Sequence, residues 1–392
     1  MEDTNISFLT SELYNEFLDF NKKAFPKGKK IEELIKYQIL QNPLLKNKSC
    51  PKVLVACNNK KEIVGQFVCN PCELYFNDRN IESHRTYDFY VLRDFRKTGI
   101  GTALARGVCK YAKPCITVGV SKMGINIALS VGELVGSLYK FLWFKDLACW
   151  IKALFSYLFK KESLANECDL KHVRFPEVLQ LRDYNFHLTR RVETWKESFW
   201  DNCTLQFIRS DDFIKWRFLQ RPGIYYLYIL ENMESSSYFV VRKSKWRTLN
   251  ILEIVDYRVP YRDKKTFNSI LNASKLLAKD LGFDGLMTKS SHAFFDQCLF
   301  SNFFIRNNQP EAVITNLKLD IVNQQSFATR HCEEQSDEAI SLRKTLADCF
   351  VRTKALPRND VNQEDYYIDR KKIKKRDFLY VTGVDCDSEF IN

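Results

Sequence analysis

Hydrophobic positions along this chain switch between helical and strand-like periods, and the switches outline its elements. Ser11 to Phe25 and Ile31 to Asn42 read as two helices. Val53 to Cys57 and Ile63 to Phe76 read as strands around the polar turn Asn58-Asn59-Lys60-Lys61. Thr86 to Leu92 is a further β-rich run. From Ile100 the small or apolar residues Ala103, Leu104, Gly107, Val108 and Tyr111 fall three and four apart, which predicts a helix with one buried stripe. Cys115 to Val120 then gives a short strand and Ser121 to Gly132 a helix.

A second series starts near Cys168. Strands are predicted at Tyr225 to Leu230, Tyr238 to Arg242 and Asn250 to Val259. Lys264 to Leu281 repeats Phe267, Ile270, Leu271, Ser274, Leu277, Ala278 and Leu281 on one helical face. Gly285 to Lys289 adds a strand and Ala293 to Phe304 a helix, so the strand-helix order of the first half returns. Between the halves, Leu138 to Phe159 is the most membrane-like stretch, but Lys140, Lys145, Asp146 and Lys152 exclude a span. Asp146 to Phe159 reads as an amphipathic linker helix packed on both halves, with an interfacial membrane helix as the other reading.

Composition adjusts this picture in three places. At 392 residues the chain has room for two cores. Its formal net charge of +12 admits a nucleic-acid partner, an anionic cofactor or plain solubility. Basic runs such as Lys27-Gly28-Lys29-Lys30 and Lys371 to Arg376 are scattered and read as solvated surface, without a specific nucleic-acid motif around them. Thirteen cysteines behind an acidic, polar start, Met1-Glu2-Asp3-Thr4, point to reduced thiols in a cytoplasm. Cys69-Asn70-Pro71-Cys72 has the spacing of a redox or zinc pair but sits inside a strand run without a second pair, so no metal is expected.

The most informative chemistry lies at Arg96-Lys97-Thr98-Gly99-Ile100-Gly101-Thr102, between the β-rich run and its helix. Backbone N–H groups in a helix's first turn lack intrahelical acceptors and bind anions when nothing blocks their approach. Glycine at 99 and 101 removes the Cβ atoms that would stand in the way. Thr102-Ala103 replaces the Lys-Ser/Thr of a Walker loop, and Leu104 stands where a dinucleotide loop needs its third glycine. The stretch resembles the acyl-CoA pyrophosphate loop of the GNAT N-acetyltransferase superfamily, Gln/Arg-x-x-Gly-x-Gly/Ala, with Arg96, Gly99 and Gly101 on its defining positions. Val91-Leu92-Arg93-Asp94-Phe95 is similar to that family's strand end, with Arg93 where proline is usual.

The resemblance implies an α+β fold of two GNAT-like domains, each a mixed, mostly antiparallel central sheet with helices on both faces. Residues 1–145 would bind acetyl-CoA, 146–167 would form a helical linker, and 168–392 would be a degenerate copy. In that copy Trp216-Arg217-Phe218 through Pro222 is similar to a segment of some two-domain members, and the junction Val259 to Thr266 lacks glycine. Pro260 removes a donor there, so the copy is not expected to hold CoA. Arg330 to Asp360 resembles a translated bacterial palindromic repeat, which makes residues 326–362 a tolerated insertion in a bacterial protein. The fold would resume at Tyr366 and close with Asp377 to Asp387.

Acetyl-CoA as co-substrate implies an N-acetyltransferase with an amine-bearing small molecule or protein as acceptor. Its pyrophosphate would take the amides of Lys97, Thr98, Gly99, Ile100, Gly101 and Thr102, with Arg96 or Lys97 adding charge, and amides of Tyr90, Val91 and Leu92 would polarise the thioester. Asp88, Glu73 and His84 are the candidates for the general base that makes the amine neutral. The family's thiolate-protonating tyrosine is missing: Ala128 to Glu133 occupies the matching stretch. A CoA-binding regulatory protein without turnover therefore stays open, as does a basic nucleic-acid-binding protein.

Overall fold

The computed structural model describes residues 4–26, 32–45, 53–112, 114–120, 124–158, 173–191, 200, 204–220, 224–230, 237–307, 309–317, 366–368, 371–373 and 379–382. Strand β1 (Asn5–Phe8) and helix α1 (Tyr14–Ala24) open the fold, and α2 (Glu32–Ile35) continues as a π-type turn to Leu40. β2 (Val53–Cys57) and β3 (Ile63–Phe76) have the bounds their patterns predict. β3 returns as β4 (Arg79–Val91) through Asn77 and Asp78, whose φ of 52° and 57° are those of a tight hairpin turn. α3 (Ile100–Tyr111), β5 (Cys115–Val120), α4 (Ile125–Leu129), β6 (Glu133–Phe144) and α5 (Leu147–Leu158) complete the first half.

The second half runs β7 (Val178–Leu181), β8 (Tyr184–Thr189), β9 (Leu205–Phe207), α6 (Asp211–Ile214), β10 (Tyr225–Leu230), β11 (Tyr238–Trp246), β12 (Leu249–Arg258) and α7 (Lys264–Asp280). β13 (Gly285–Ser290), α8 (Ala293–Ser301), β14 (Ile305–Arg306) and β15 (Glu311–Thr315) follow. Residues 319–375 are a unit of their own, in which β16 (Tyr366–Ile368) and β17 (Lys371–Ile373) pair antiparallel. β18 (Leu379–Tyr380) belongs again to the main body. The palindromic-repeat reading at 326–362, Pro222 and Asp377 lie outside the described residues.

The main body is a mixed α/β structure built on one large, mostly antiparallel open sheet, ordered β1-β2-β3-β4-β5-β15-β6-β13-β12-β11-β10-β8-β7. Only β4/β5, β12/β13 and β18/β9 pair parallel among the described strands. Helices cover both faces. Phe17 and Phe20 of α1 pack on Val53, Val55 and Val68, while Leu104 and Val108 of α3 pack on Leu54, Val64 and Cys69 across the sheet. α7 and α8 bury Phe267, Leu271 and Phe295 against Phe141, Leu252 and Tyr257 further along.

One expectation changes. Among the described residues of 121–132 only Ile125–Leu129 is helical, and the chain then enters the 12-residue strand β6. β6 pairs with β15 and β13, so strands from far along the chain complete the sheet next to β5. α5 buries Ala153 against Leu142, Leu249, Ile251 and Met287, but Leu147, Phe155 and Leu158 remain 70%, 56% and 63% exposed. Its partners come from both halves, Leu142 from the first and Leu249, Ile251 and Met287 from the second, as expected of the linker helix, and its outer face stays open. No helix among the described residues is long and apolar enough to cross a membrane.

Candidate functional site

β4 and β5 are bonded only where His84, Arg85 and Thr86 face Cys115, Ile116 and Thr117. Past that point they diverge. β4 stays on β3, β5 is taken by β15, and the sheet opens as a V between them. A bulge bends β4 at the opening: Gln66 faces Tyr90 and Val68 faces Tyr87, so Phe67 opposes both Asp88 and Phe89. Asp88 carries the strain with φ 48°. The fully buried Gln66 donates from Nε2 to the Asp88 carbonyl at 3.3 Å and to Asn21 Oδ1 at 3.2 Å, and Asn21 donates back at 3.0 Å. A polar pair linking α1 to β3 thus supports the bulge from beneath.

At the end of β4 the chain turns toward α3. Arg96 is extended at φ −72° and ψ 151°, Lys97 has φ 67°, and Gly99, the residue preceding α3, has φ 90° and ψ −9°. No heavy atom lies within 4 Å of the place a Gly99 Cβ would occupy. The first intrahelical donor at this end is Ala103, whose N–H reaches the Gly99 carbonyl at 3.0 Å. No side chain caps the helix. The Thr98 hydroxyl turns back to the Phe95 carbonyl at 2.7 Å, and Arg96 Nε donates to the Val91 carbonyl at 3.0 Å with its guanidinium over the Tyr90 ring. Lys97, Thr98 and Gly99 are exposed. Gly101 has a different role from that read in the sequence: its Cβ would meet Phe89 and Ile127 at 3.1 and 3.2 Å, so it serves close packing of α3 on the V.

Strand alternation sorts the amides along β4. Leu92 N–H is committed to the Val64 carbonyl at 2.9 Å, and the register places Tyr90, opposite Gln66, on that same side. Val91 and Phe89 therefore turn their N–H groups to the open edge. Phe89 was not singled out in the sequence, because the bulge that reverses the alternation there leaves no mark in composition.

Inside the V lies a cavity of about 220 Å³. β4 contributes Thr86, Tyr87, Asp88 and Phe89, and β5, α3, α4 and the tip of β15 close the remaining sides. Thr86 and Thr117 share a 2.5 Å hydroxyl contact at the vertex. Cys109 and Cys115 stand 3.9 Å apart, and that contact together with burial pushes the Cys115 thiol up. Asn316 fixes the far wall by accepting from Cys115 N–H at 2.7 Å. Of the candidate bases, Asp88 lines this cavity. Glu73 lines a separate cleft of about 20 Å³ with Asn70, Arg85 and Trp216, and His84 lines neither. Cys69 is buried and Cys72 half-buried within β3.

The second half repeats the geometry without the vacancy. β11 and β12 carry a bulge where Val240 faces Asp256 and Val241 faces Ile254, and β12 pairs β13 from Ile251 opposite Gly285 no further than Ile254 opposite Thr288. The chain's own residues 379–382 sit beyond that point. Ser291 Oγ donates to the Leu379 carbonyl at 2.8 Å, Tyr380 Oη to the Tyr257 carbonyl at 2.7 Å and Thr382 Oγ1 to Asp256 Oδ1 at 2.6 Å. α7 is capped as well, with Asp263 accepting from Thr266 N–H at 3.0 Å and from its hydroxyl at 2.6 Å. A carboxylate on these donors excludes a phosphate.

Residues 11–129 match the model of the acetyltransferase (GNAT) family. No curated protein matches the sequence. The fold is similar to Saccharomyces cerevisiae N-myristoyltransferase with bound myristoyl-CoA, at 11% identity and TM-score 0.53 over 81% of this chain and 83% of that one. The same enzyme with myristoyl-CoA and inhibitors gives 11% identity and TM-score 0.52 over 81% and 80%. A GCN5-related N-acetyltransferase from Anabaena variabilis has 12% identity and TM-score 0.49 over 80% and 72%.

Proposed function

We propose that this chain is an acyl-CoA-dependent N-acyltransferase that moves an acyl group, acetyl in the simplest case, to a primary amine. The observation that carries this reading is the uncapped, exposed start of α3 beside an open V, set against the capped α7 and the filled V of the second half. The diphosphate of CoA would accept from the amides at 99–102, with Arg96 and Lys97 supplying charge. The pantetheine arm would run along the open edge of β4, and the Val91 and Phe89 N–H groups would stabilise the oxyanion as the amine attacks the thioester carbon. Asp88 would take the amine's proton directly or through one water. Residues 1–145 are then the CoA-binding half, 146–167 the connection and 168–392 the copy without CoA. The repeated bulge and strand order support that division.

Release of free CoA thiol with a panel of amines tests the reading. Turnover is expected with at least one amine, and Asp88→Asn is expected to lower kcat about 100-fold or more with little change in KM. CoA binding with no thiol release from any amine would favour the second reading, a CoA-binding regulatory protein. That reading draws on the lack of a tyrosine between Ala128 and Glu133 to protonate the leaving thiolate.

A further inference from the structure

Exposed hydrocarbon is concentrated on one helix of this chain. α5 buries Cys149, Ala153 and Ser156, and on its opposite side Leu147, Ile151, Phe155 and Leu158 follow one another at spacings of four, four and three, all exposed. Half-buried Leu154 and exposed Ala148 widen this stripe, and no charged residue interrupts it. Single exposed apolar residues are ordinary, but a contiguous apolar stripe marks a surface that meets something.

The borders of the stripe are cationic. Lys152, with half its side chain exposed, lies along one side. Trp150 and Tyr157 lie along the other, where the Arg247 guanidinium stands 4.9 Å from the centre of the Tyr157 ring and donates to the Ser156 carbonyl. The Ser156 and Thr248 hydroxyls meet at 2.6 Å, so the turn between β11 and β12 holds this end of the helix. The neighbouring acids are engaged within the fold: Asp146 Oδ1 accepts from Cys149 N–H at 2.8 Å, and Asp284 Oδ2 accepts from Asn250 N–H at 2.8 Å with Lys152 3.7 Å away. From Leu138 to Lys161 the sequence carries Lys140, Lys145, Lys152, Lys160 and Lys161 against Asp146 alone, in a chain of net charge +12. A second copy of this face would set like charges against each other. A lipid surface bearing negative headgroups accepts all three kinds of side chain: apolar residues among the acyl chains, cations at the phosphates and aromatic rings at the boundary.

We propose that α5 docks this chain on an anionic bilayer surface, lying in the plane of the interface with Leu147, Ile151, Phe155 and Leu158 turned into the lipid and Lys152 and Arg247 at the headgroups. The 12 residues of α5 span about 18 Å at 1.5 Å per residue, short of the roughly 30 Å hydrocarbon core, so the helix lies on the membrane and does not cross it.

Co-sedimentation of the full chain with lipid vesicles tests the proposal, using vesicles of roughly two parts phosphatidylcholine to one part phosphatidylserine and vesicles of phosphatidylcholine alone. The chain is expected to pellet with the anionic vesicles, to bind the neutral ones more weakly, and to lose affinity as salt is raised. Leu147→Gln and Phe155→Gln change exposed side chains at two places on the stripe, so both are expected to melt as the wild type does while each loses about ten-fold or more in vesicle affinity. Phe155→Trp keeps the apolar surface and is expected to bind at least as well as the wild type. A wild-type chain that stays in the supernatant, equal binding to both kinds of vesicle, or glutamine variants that pellet like the wild type would each overturn the proposal. Concentration-dependent dimers in analytical ultracentrifugation that Phe155→Gln dissolves, without vesicle binding, would overturn it in favour of a second copy of the chain.

Discussion

Gly99 and Gly101 look alike in the sequence and differ in the structure. Gly99 occupies the left-handed region with empty space where a side chain would go, whereas Gly101 is needed because Phe89 and Ile127 press against it. A substitution at 99 therefore acts through backbone strain, and one at 101 through packing. Gly99→Ala is expected to cost about 1–2 kcal/mol, visible as a lowered urea midpoint with unchanged slope. A loss of the slope instead would mean that the loop holds more of the fold than its exposure indicates. The Gln66–Asn21 pair was not legible as a site feature, because polar residues within a strand and a helix announce nothing until the bulge above them is known.

At the level of elements, the sharpest contrast is between two helices that begin at comparable junctions. α3 leaves its first amides bare, and α7 closes its own with Asp263. Asp263→Ala is expected to destabilise the chain by about 1 kcal/mol and to leave CoA affinity unaltered, as thermal melts with and without CoA would register. Any gain of a second CoA site would contradict the assignment of the second half. In the first half β2, β3, β4, β5 and α3, and in the second half β10, β11, β12, α7, β13 and α8, were legible from apolar runs or helical stripes bounded by polar turns. β6 was not. Its sequence runs Glu133-Leu-Val-Gly-Ser-Leu-Tyr-Lys-Phe-Leu-Trp-Phe144, and Phe141 faces α7 and α8 while Leu142 faces α5. A strand buried on both faces lacks alternation, and its partners β13 and β15 lie far away in the sequence. For the same reason the contribution of β15 to the cavity could not be read from residues near 100.

Across the whole molecule, the second half is locked by charge buried where the first half is open. Arg209 Nε meets Asp256 Oδ2 at 2.9 Å, Tyr238 Oη donates to the same oxygen at 2.8 Å, and Arg258 lies over the Tyr380 ring. Burial alone would raise the Asp256 carboxyl, but Arg209 and Arg258 outweigh it and hold it below the usual carboxylate range. A depressed carboxyl stabilises the fold above its unfolded value of about 3.9 and loses that contribution as pH falls through the folded value. Acid unfolding is therefore expected below about pH 4, followed by far-UV circular dichroism. Arg209→Met, which strands the carboxylate in the core, is expected to destabilise by about 3–5 kcal/mol at neutral pH and to move the acid transition upward. An unchanged transition in that variant would show that Asp256 is not the group responsible.

Both halves are built on a split between parallel strands beside a bulge, and only one split is empty. The most direct test is the stoichiometry of CoA binding by titration calorimetry on the full chain and on Gly99→Trp. One CoA per wild-type chain and none in the variant is the expected result. Two equivalents, or one that persists in Gly99→Trp, would contradict a single diphosphate site at the start of α3.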